Sequence, residues 1–194
     1  MLRTILIWPD PVLKKKALPV TTFDDGLRTL VKDMFETMYD ADGVGLAAPQ
    51  VGVLQRLIVL DTRTRDEGVK PMAMVNPVIT ATEGTAVWGE GCLSIPGENE
   101  DVERAATVTV RYQDESGAEQ QLTTGGLLAI AIQHEVDHLE GVVFVDHVSV
   151  LKRELIRTRM KKLKAADEKP VPAKGGKPAA AGAAKKPGKR EGRA

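Results

Sequence analysis

Residues 126–139 read GLLAIAIQHEVDHL, and the interpretation of the rest of the chain depends on this segment. Its first half is apolar from Leu127 to Ile132, which predicts a buried helix from about Gly126 through Leu139. Gly141 suits the position just after the end of a helix. Because buried histidine and glutamate side chains need partners, the polar second half of the helix indicates a site in the protein interior.

Two of the three histidines, His134 and His138, lie four residues apart in this predicted helix. At that spacing both imidazoles project from the same face, about one turn apart, so one metal ion can take a nitrogen from each. Glu135 neighbours the first histidine and could act as a general base on a water at the metal. A polar patch without a metal is the alternative, since short motifs of this kind also occur by chance.

The single cysteine, Cys92, is the natural candidate for a third ligand, because a catalytic metal site typically has three protein ligands and an open position. It lies in the segment 90–94, EGCLS, where Gly91 lets the backbone approach closely. A lone cysteine is more often simply buried, but beside a two-histidine helix the ligand role is favoured. A Cys, His, His set suits Zn²⁺ or Fe²⁺, and ligand type alone does not separate them.

A third motif is GVGLAAPQ at residues 43–50. It fits the dinucleotide-binding pattern G-x-G-x-x-A, but it follows a predicted helix instead of a strand, and Pro49 would break the helix that the pattern must open. A flexible loop would explain the two glycines but not the residues after them. The Gln50 amide could donate a hydrogen bond to a substrate carbonyl, as an oxyanion site requires.

The remaining apolar patterns predict an α+β fold. Helical spacing predicts a helix at 25–39, and short apolar or alternating runs predict strands at 56–60, 72–79, 107–112, 120–123 and 142–145. Helices and strands do not alternate regularly, which favours mostly antiparallel sheets. We therefore expect such sheets around a central metal-binding helix, with a C-terminal helix and a disordered basic tail.

The charge distribution separates the C-terminal end from the body. The 194 residues have no net charge, but residues 152–194 carry 15 Lys and Arg against 4 Asp and Glu, and residues 1–151 carry 12 against 23. Residues 149–165 predict a basic helix with an apolar stripe of Leu151, Leu155, Ile156 and Leu163. Residues 170–194 are mostly Ala, Gly, Pro and Lys, a composition that cannot bury enough apolar surface to fold. We expect a catalytic domain at 1–148, a basic helix at 149–168 and a disordered tail at 169–194.

The composition indicates in which cellular compartment the protein is expected. No stretch approaches the roughly 18 uncharged apolar residues of a membrane span, so no membrane partner is expected. One cysteine excludes an internal disulfide, which favours a reducing cytoplasm.

The three motifs, at 43–50, 90–94 and 133–139, resemble in order and spacing the signature motifs of bacterial peptide deformylases. The resemblance covers about residues 1–149. It implies a hydrolase that removes the formyl group from the N-terminal formylmethionine of newly synthesised polypeptides and releases formate. It also implies one metal ion per chain, classically a labile Fe²⁺, with Zn²⁺, Ni²⁺ or Co²⁺ as substitutes.

The resemblance also implies roles for individual residues. Cys92, His134 and His138 would bind the metal, Glu135 would be the acid/base, and Gln50 with the backbone N–H of Leu93 would stabilise the oxyanion. Gly43, Val44, Gly45, Ile130 and Ala131 would border the pocket for the methionine side chain. Outside this set, Arg104 and Glu90 could pair to hold the Cys92 loop, or both could be solvated surface charges.

Three other readings of the same residues are a zinc metallopeptidase, a papain-like hydrolase with Cys92 as nucleophile, and a ribosome- or RNA-binding protein with a vestigial metal site. A metallopeptidase would usually take a third His or Glu downstream, and His147 is the one histidine that remains there. A papain-like enzyme would leave His138 and Glu135 unexplained. The basic C-terminal end suggests contact with ribosomal RNA, or only a solubilising role.

Overall fold

The computed structural model describes residues 1–63 and 69–167, and within them the chain forms three α-helices and seven β-strands. The helices are α1 (Asp25–Asp40), α2 (Gly126–Leu139) and α3 (Val150–Asp167). The strands are β1 (Gly45–Ala47), β2 (Leu57–Leu60), β3 (Met72–Glu83), β4 (Ala86–Cys92), β5 (Ile95–Arg104), β6 (Thr107–Gln113) and β7 (Glu119–Gly125).

The strands form two antiparallel sheets. One has five strands in the order β1-β2-β3-β6-β7, and the other is the hairpin of β4 and β5. The predicted α+β class with largely antiparallel sheets and a central helix is therefore confirmed. The tail predicted at 169–194 lies outside the described residues.

Strand β2 explains why α2 is central. All four of its residues are buried, and because successive side chains point to opposite faces, the strand presents two apolar surfaces. Ile58 and Leu60 pack in the core cluster that contains Ile132 of α2, whereas Leu57 and Val59 pack in the cluster that contains Met34 of α1. The sheet thus separates the two helices and holds α2 against its inner face.

A third core cluster joins the hairpin to the C-terminal helix. Ile156 and Met160 of α3 are buried together with Ile95 and Val102 of β5 and with Phe144. The apolar stripe expected on α3 is therefore only partly right, because Leu151, Leu155 and Leu163 are exposed. The inward positions are four residues apart, at 156 and 160. Helix α3 contributes to the core next to the hairpin.

We expect Ile156→Ala to lower the free energy of unfolding by roughly 2–5 kcal/mol, as large-to-small changes in a core do. The neighbouring Leu155→Ala is the matched control, because Leu155 is 52% exposed and its loss should cost no more than about 0.5 kcal/mol. Denaturant unfolding of both variants measures the difference. Equal losses would contradict the packing of α3 on the body.

The strand predicted at 142–145 is wrong, and three strands are missing from the prediction. Residues 142–145 are not a strand, because the chain turns there into a short 3-10 helix (Phe144–Asp146) in which the Asp146 carboxylate accepts the Val143 N–H at 2.9 Å. The sequence reading also missed β1, β4 and β5. No helix in residues 1–63 and 69–167 combines the length and apolarity needed to span a membrane.

Candidate metal centre

Cys92, His134 and His138 converge on one point, although they come from two different elements. The histidines lie one turn apart on α2, and Cys92 ends β4. One ligand-capable atom from each lies within 4.8 Å of the others, and the Cys92 Sγ to His138 Nε2 distance is 3.3 Å. Metal–ligand bonds of about 2.0–2.3 Å in a tetrahedron imply ligand-to-ligand distances of roughly 3.5 Å. One thiolate and two imidazoles thus fit a single ion such as Zn²⁺ or Fe²⁺.

A buried carboxylate orients His134. The Glu90 carboxylate lies 2.8 Å from His134 Nδ1, which leaves Nε2 as the nitrogen that could bind a metal ion. Arg104 donates two hydrogen bonds to Glu90, at 2.6 and 3.0 Å, and a third to Asp137 at 2.6 Å. Both partners of the Arg104–Glu90 pair are buried, so the predicted pairing is confirmed and the alternative of solvated charges is excluded.

The titration behaviour of these groups follows from burial and contact. Burial alone would raise the pKa of Glu90, yet hydrogen bonds from His134 and Arg104 lower it to about 2. Burial would lower the pKa of His134, but its contacts with Cys92 and Glu90 raise that pKa well above the ordinary value. Burial and the neighbouring His134 lower the pKa of His138 well below its ordinary value. Ionised Glu90 is thus the fixed anion behind the histidines.

Glu135 faces the cavity beside the first histidine. Its carboxylate lies so close to Gly45 that a Cβ there would come within 2.5 Å of Glu135 Oε1, which explains the glycine. Burial raises the pKa of Glu135 to about 7. Within the described residues Glu135 Oε2 has no hydrogen-bond partner. A buried, unpartnered carboxylate with this pKa is suited to accept and release a proton near neutral pH.

The Gln50 amide is fixed with its nitrogen towards the cysteine. The Ala47 N–H donates to Gln50 Oε1 at 2.7 Å, and Gln50 Nε2 lies 3.5 Å from Cys92 Sγ and 3.2 Å from Ser94 Oγ. The 3-10 helix Ala48–Val51 supplies this local geometry. A buried amide donor therefore stands next to the metal position, with Leu93 in the turn that follows Cys92.

One cavity of about 510 Å³ contains these groups. All the residues expected at the site line it except His138, which is buried behind Cys92. The expected pocket residues in the wall are Gly43, Val44, Gly45, Ile130 and Ala131. The hairpin adds wall residues that the motifs did not indicate, among them Trp88, Gly97, Glu98 and Asn99. All four lie outside the motif at 90–94, and the pairing of β4 with β5 brings both strands to the cavity.

His147 does not belong to the metal cluster. Its Nε2 lies 2.7 Å from the Asp137 carboxylate and 3.5 Å from the Arg104 guanidinium. The one downstream histidine that could serve a metallopeptidase as third ligand thus contacts Asp137 and Arg104 instead. A thiolate, two imidazoles and an adjacent buried carboxylate place the chain among the metal-dependent hydrolases.

The family model for polypeptide deformylase matches residues 2–154, and the chain belongs to this family. Its function is the metal-dependent removal of the formyl group from nascent peptides, and the metallopeptidase and non-catalytic alternatives find no support. The chain is 48% identical over 162 residues to a peptide deformylase from Rhizobium meliloti, covering 83% of this chain and 93% of that protein.

Solved structures agree with this assignment. A peptide deformylase from Legionella pneumophila matches with a TM-score of 0.81 and 47% identity, over 88% of this chain and all of that one. A peptide deformylase from Synechococcus elongatus in complex with actinonin matches with a TM-score of 0.75 and 46% identity, over 84% and 88% of the two chains.

Proposed function

We propose that Cys92, His134 and His138 bind one Fe²⁺ per chain, and that Glu135, Gln50 and Leu93 carry the deformylation of N-formylmethionyl peptides. The observation that carries the proposal is the convergence of the three donor atoms within 4.8 Å, beside a buried carboxylate in one cavity. Zn²⁺, Ni²⁺ and Co²⁺ are substitutes, since the same ligands accept each of them.

A divalent cation in this site supplies Lewis acidity, which makes water a stronger acid and the formyl carbonyl a better electrophile. Glu135 accepts a proton from the attacking water while the water oxygen forms a bond to the formyl carbon. When the C–N bond breaks, Glu135 delivers that proton to the departing methionine nitrogen, so that formate and a free amine leave. Its pKa of about 7 suits both steps.

Gln50 and Leu93 stabilise the charge that develops on the formyl oxygen. The Gln50 amide needs no reorientation, because its oxygen is already fixed by the Ala47 N–H. One such preorganised donor is typically worth roughly 3–4 kcal/mol in the transition state. The backbone N–H of Leu93 is the second donor, next to Cys92 in the chain.

The methionine side chain is bound by Gly43, Val44, Gly45, Ile130 and Ala131. This part of the wall is largely apolar, as an unbranched thioether side chain requires, and the small Ala131 leaves room for it. We place the reaction in the cytoplasm, where newly made chains carry the formyl group and a thiolate ligand stays reduced.

The decisive experiment measures formate release from formyl-Met-Ala by the full chain, before and after chelation. We expect release that chelation abolishes and that Fe²⁺ restores more fully than Zn²⁺. Release that persists without metal would contradict the ligand assignment. No release from the metal-loaded chain would contradict the proposed function.

The basic C-terminal end is proposed to bring the enzyme to ribosomal RNA near emerging chains. Most cations of α3 are paired with acidic groups of the protein; for example, Lys152 lies 2.6 Å from Glu100, and Arg153 lies 3.6 Å from Asp146. Among the described residues, Lys161 and Lys162 make no ion pair. The cations without an ion pair in the described part of α3 therefore lie near its end, and by composition residues 168–194 add eight Lys and Arg against two Glu.

We expect truncation after Asp167 to weaken ribosome binding and its salt dependence, while turnover of formyl-Met-Ala stays unchanged. Each phosphate contact contributes a slope of about 0.9 in log K against log salt on duplex nucleic acid, and less on single strands. Ribosome co-sedimentation over a salt series measures both quantities. A full-length control with the tail lysines changed to glutamine separates charge from chain length. Equal binding and equal slopes for all three proteins would contradict the proposal that the basic C-terminal end binds the ribosome.

A further inference from the structure

Helix α3 is attached to the β4–β5 hairpin by charged side chains as well as by its buried face. Arg159 donates from Nε and Nη2 to the two carboxylate oxygens of Glu98, each at 2.5 Å. Lys152 donates to Glu100 at 2.6 Å, two residues further along β5. The bidentate arginine contact fixes the orientation of the carboxylate as well as its position, whereas a single lysine contact fixes only the position.

Glu98 belongs at the same time to the wall of the substrate cavity. Together with Asn99 it lines the cavity, and its side chain is only 14% exposed, whereas that of Arg159 is 53% exposed on the outer surface. Asn99 pairs with Gly91 of β4, and a Cβ on Gly91 would come within 2.6 Å of Asn99 Oδ1. A displacement of β5 at this point would therefore move the wall directly before Cys92.

The apolar contacts of α3 reach the same hairpin. Ile156 and Met160 are buried with Ile95, the residue opposite Cys92 in the hairpin register, and Cys92 packs against that cluster. Arg159 is thus one residue from a buried anchor of the helix. Helix α3 therefore holds the Arg159 guanidinium at a defined distance from the cavity wall.

This inference rests on the proposed function. A peptide substrate extends beyond its methionine, so a further part of the cavity wall must contact it. The formyl group belongs at Glu135 and the methionine side chain beside Ile130 and Ala131. The rest of the peptide must then leave the cavity past walls that those two groups do not use. One such wall is the stretch of β5 that contains Glu98 and Asn99.

We propose that Arg159 is a positioning residue for the peptide beyond formylmethionine: by holding Glu98, it fixes the part of the cavity wall formed by the start of β5. Its effect is on the binding of longer peptides and not on the chemical step, because neither residue lies at the metal cluster. A residue of α3 on the outer surface therefore affects the shape of the substrate cavity.

The test compares Arg159→Gln and Arg159→Lys with the matched control Lys162→Gln, which removes from the same helix a charge that makes no ion pair with another described residue. Each full-length, metal-loaded protein is assayed with formyl-Met-Ala and with formyl-Met-Ala-Ala-Ala. We expect Arg159→Gln to raise KM for the tetrapeptide roughly three- to tenfold, which lies within the range of couplings carried through packed contacts, with kcat and the dipeptide reaction unchanged. Arg159→Lys should fall between wild type and Arg159→Gln, and Lys162→Gln should behave as wild type.

A double-mutant cycle with Glu98→Gln isolates the contact. Glu98→Gln should reproduce the KM effect, and adding Arg159→Gln to it should change little further. Three outcomes would overturn the proposal: the same KM for Arg159→Gln and Lys162→Gln, an equal loss with both peptides together with a lower Tm, or additive effects in the cycle. Wild-type turnover of both peptides would leave the deformylase function intact in these cases, whereas no formate from wild type would overturn both.

Discussion

Replacing Glu135 with alanine should reduce formate release by about 10²- to 10⁴-fold, the usual contribution of a general acid–base, while the metal stays bound. The reason is that Glu135 lies beside the ligands without being one. Its Oε2 has no partner within the described residues, and its burial raises its pKa to about 7. Deformylation rate and metal content, measured on the same preparation, test both parts of the expectation.

The isosteric Glu135→Gln variant controls for shape. It keeps the close approach to Gly45 but cannot take up a proton, so its activity should fall about as far as that of the alanine variant. A folded Glu135→Ala protein without metal would show that Glu135 is a ligand, and would contradict the acid–base role.

Changing Cys92 to serine should remove most of the bound Fe²⁺ and with it the activity. The soft thiolate is the donor that distinguishes this centre from an all-imidazole site, and serine supplies only a weak neutral oxygen. Because changes in residues that merely support ligands cost roughly 10- to 100-fold in metal affinity, the loss of a direct ligand should exceed that. Metal analysis after gel filtration, with circular dichroism to verify folding, measures the effect.

The Cys92 experiment also separates two mechanisms that the sequence alone left open. If Cys92 were the nucleophile of a papain-like enzyme, Cys92→Ser would lose activity and keep its metal. Stoichiometric metal in an inactive Cys92→Ser protein would therefore contradict the ligand role, even though Cys92 Sγ lies within 3.3 Å of an imidazole nitrogen. Ser94→Ala is the matched control, because Ser94 contacts Gln50 and not the metal cluster.

The helix with the two histidines could be predicted from the sequence because its signals are local. An apolar run, a four-residue histidine spacing and Gly141 after its end all lie within sixteen residues, and the structure places α2 at Gly126–Leu139 as expected. The pairing of Arg104 with Glu90 was one of two open readings, since a charged pair looks the same in sequence whether it is buried or solvated. Burial is a property of the tertiary structure, and only the tertiary structure decides between a buried pair and two solvated charges.

The hairpin could not be predicted for a different reason. Strand β4 contains Gly89 and Gly91, and in β5 the first residue, Ile95, is followed by Pro96, Gly97 and several acidic residues, all of which disfavour strands. The two strands exist because they pair with each other and bury Ile95 and Val102 against α3. Conversely, residues 142–145 have strand-like composition, but Val143, Phe144 and Val145 are buried in the third core cluster, and the chain forms a 3-10 helix at Phe144–Asp146.

The separation of the two sheets has a thermodynamic consequence. Two of the proposed ligands lie on a helix packed against the five-stranded sheet, and the third lies on the two-stranded hairpin, which shares no strand pairing with that sheet. An ion held by all three would act as a cross-link between two parts of the chain that are distant in sequence, at 92 and at 134–138. Ligand binding to the folded state alone adds RT ln(1 + [L]/Kd) to its stability, so the free metal concentration sets how firmly the hairpin is joined to the rest of the protein. Catalytic competence and resistance to unfolding are therefore linked functions of a single variable, the supply of metal in the surroundings.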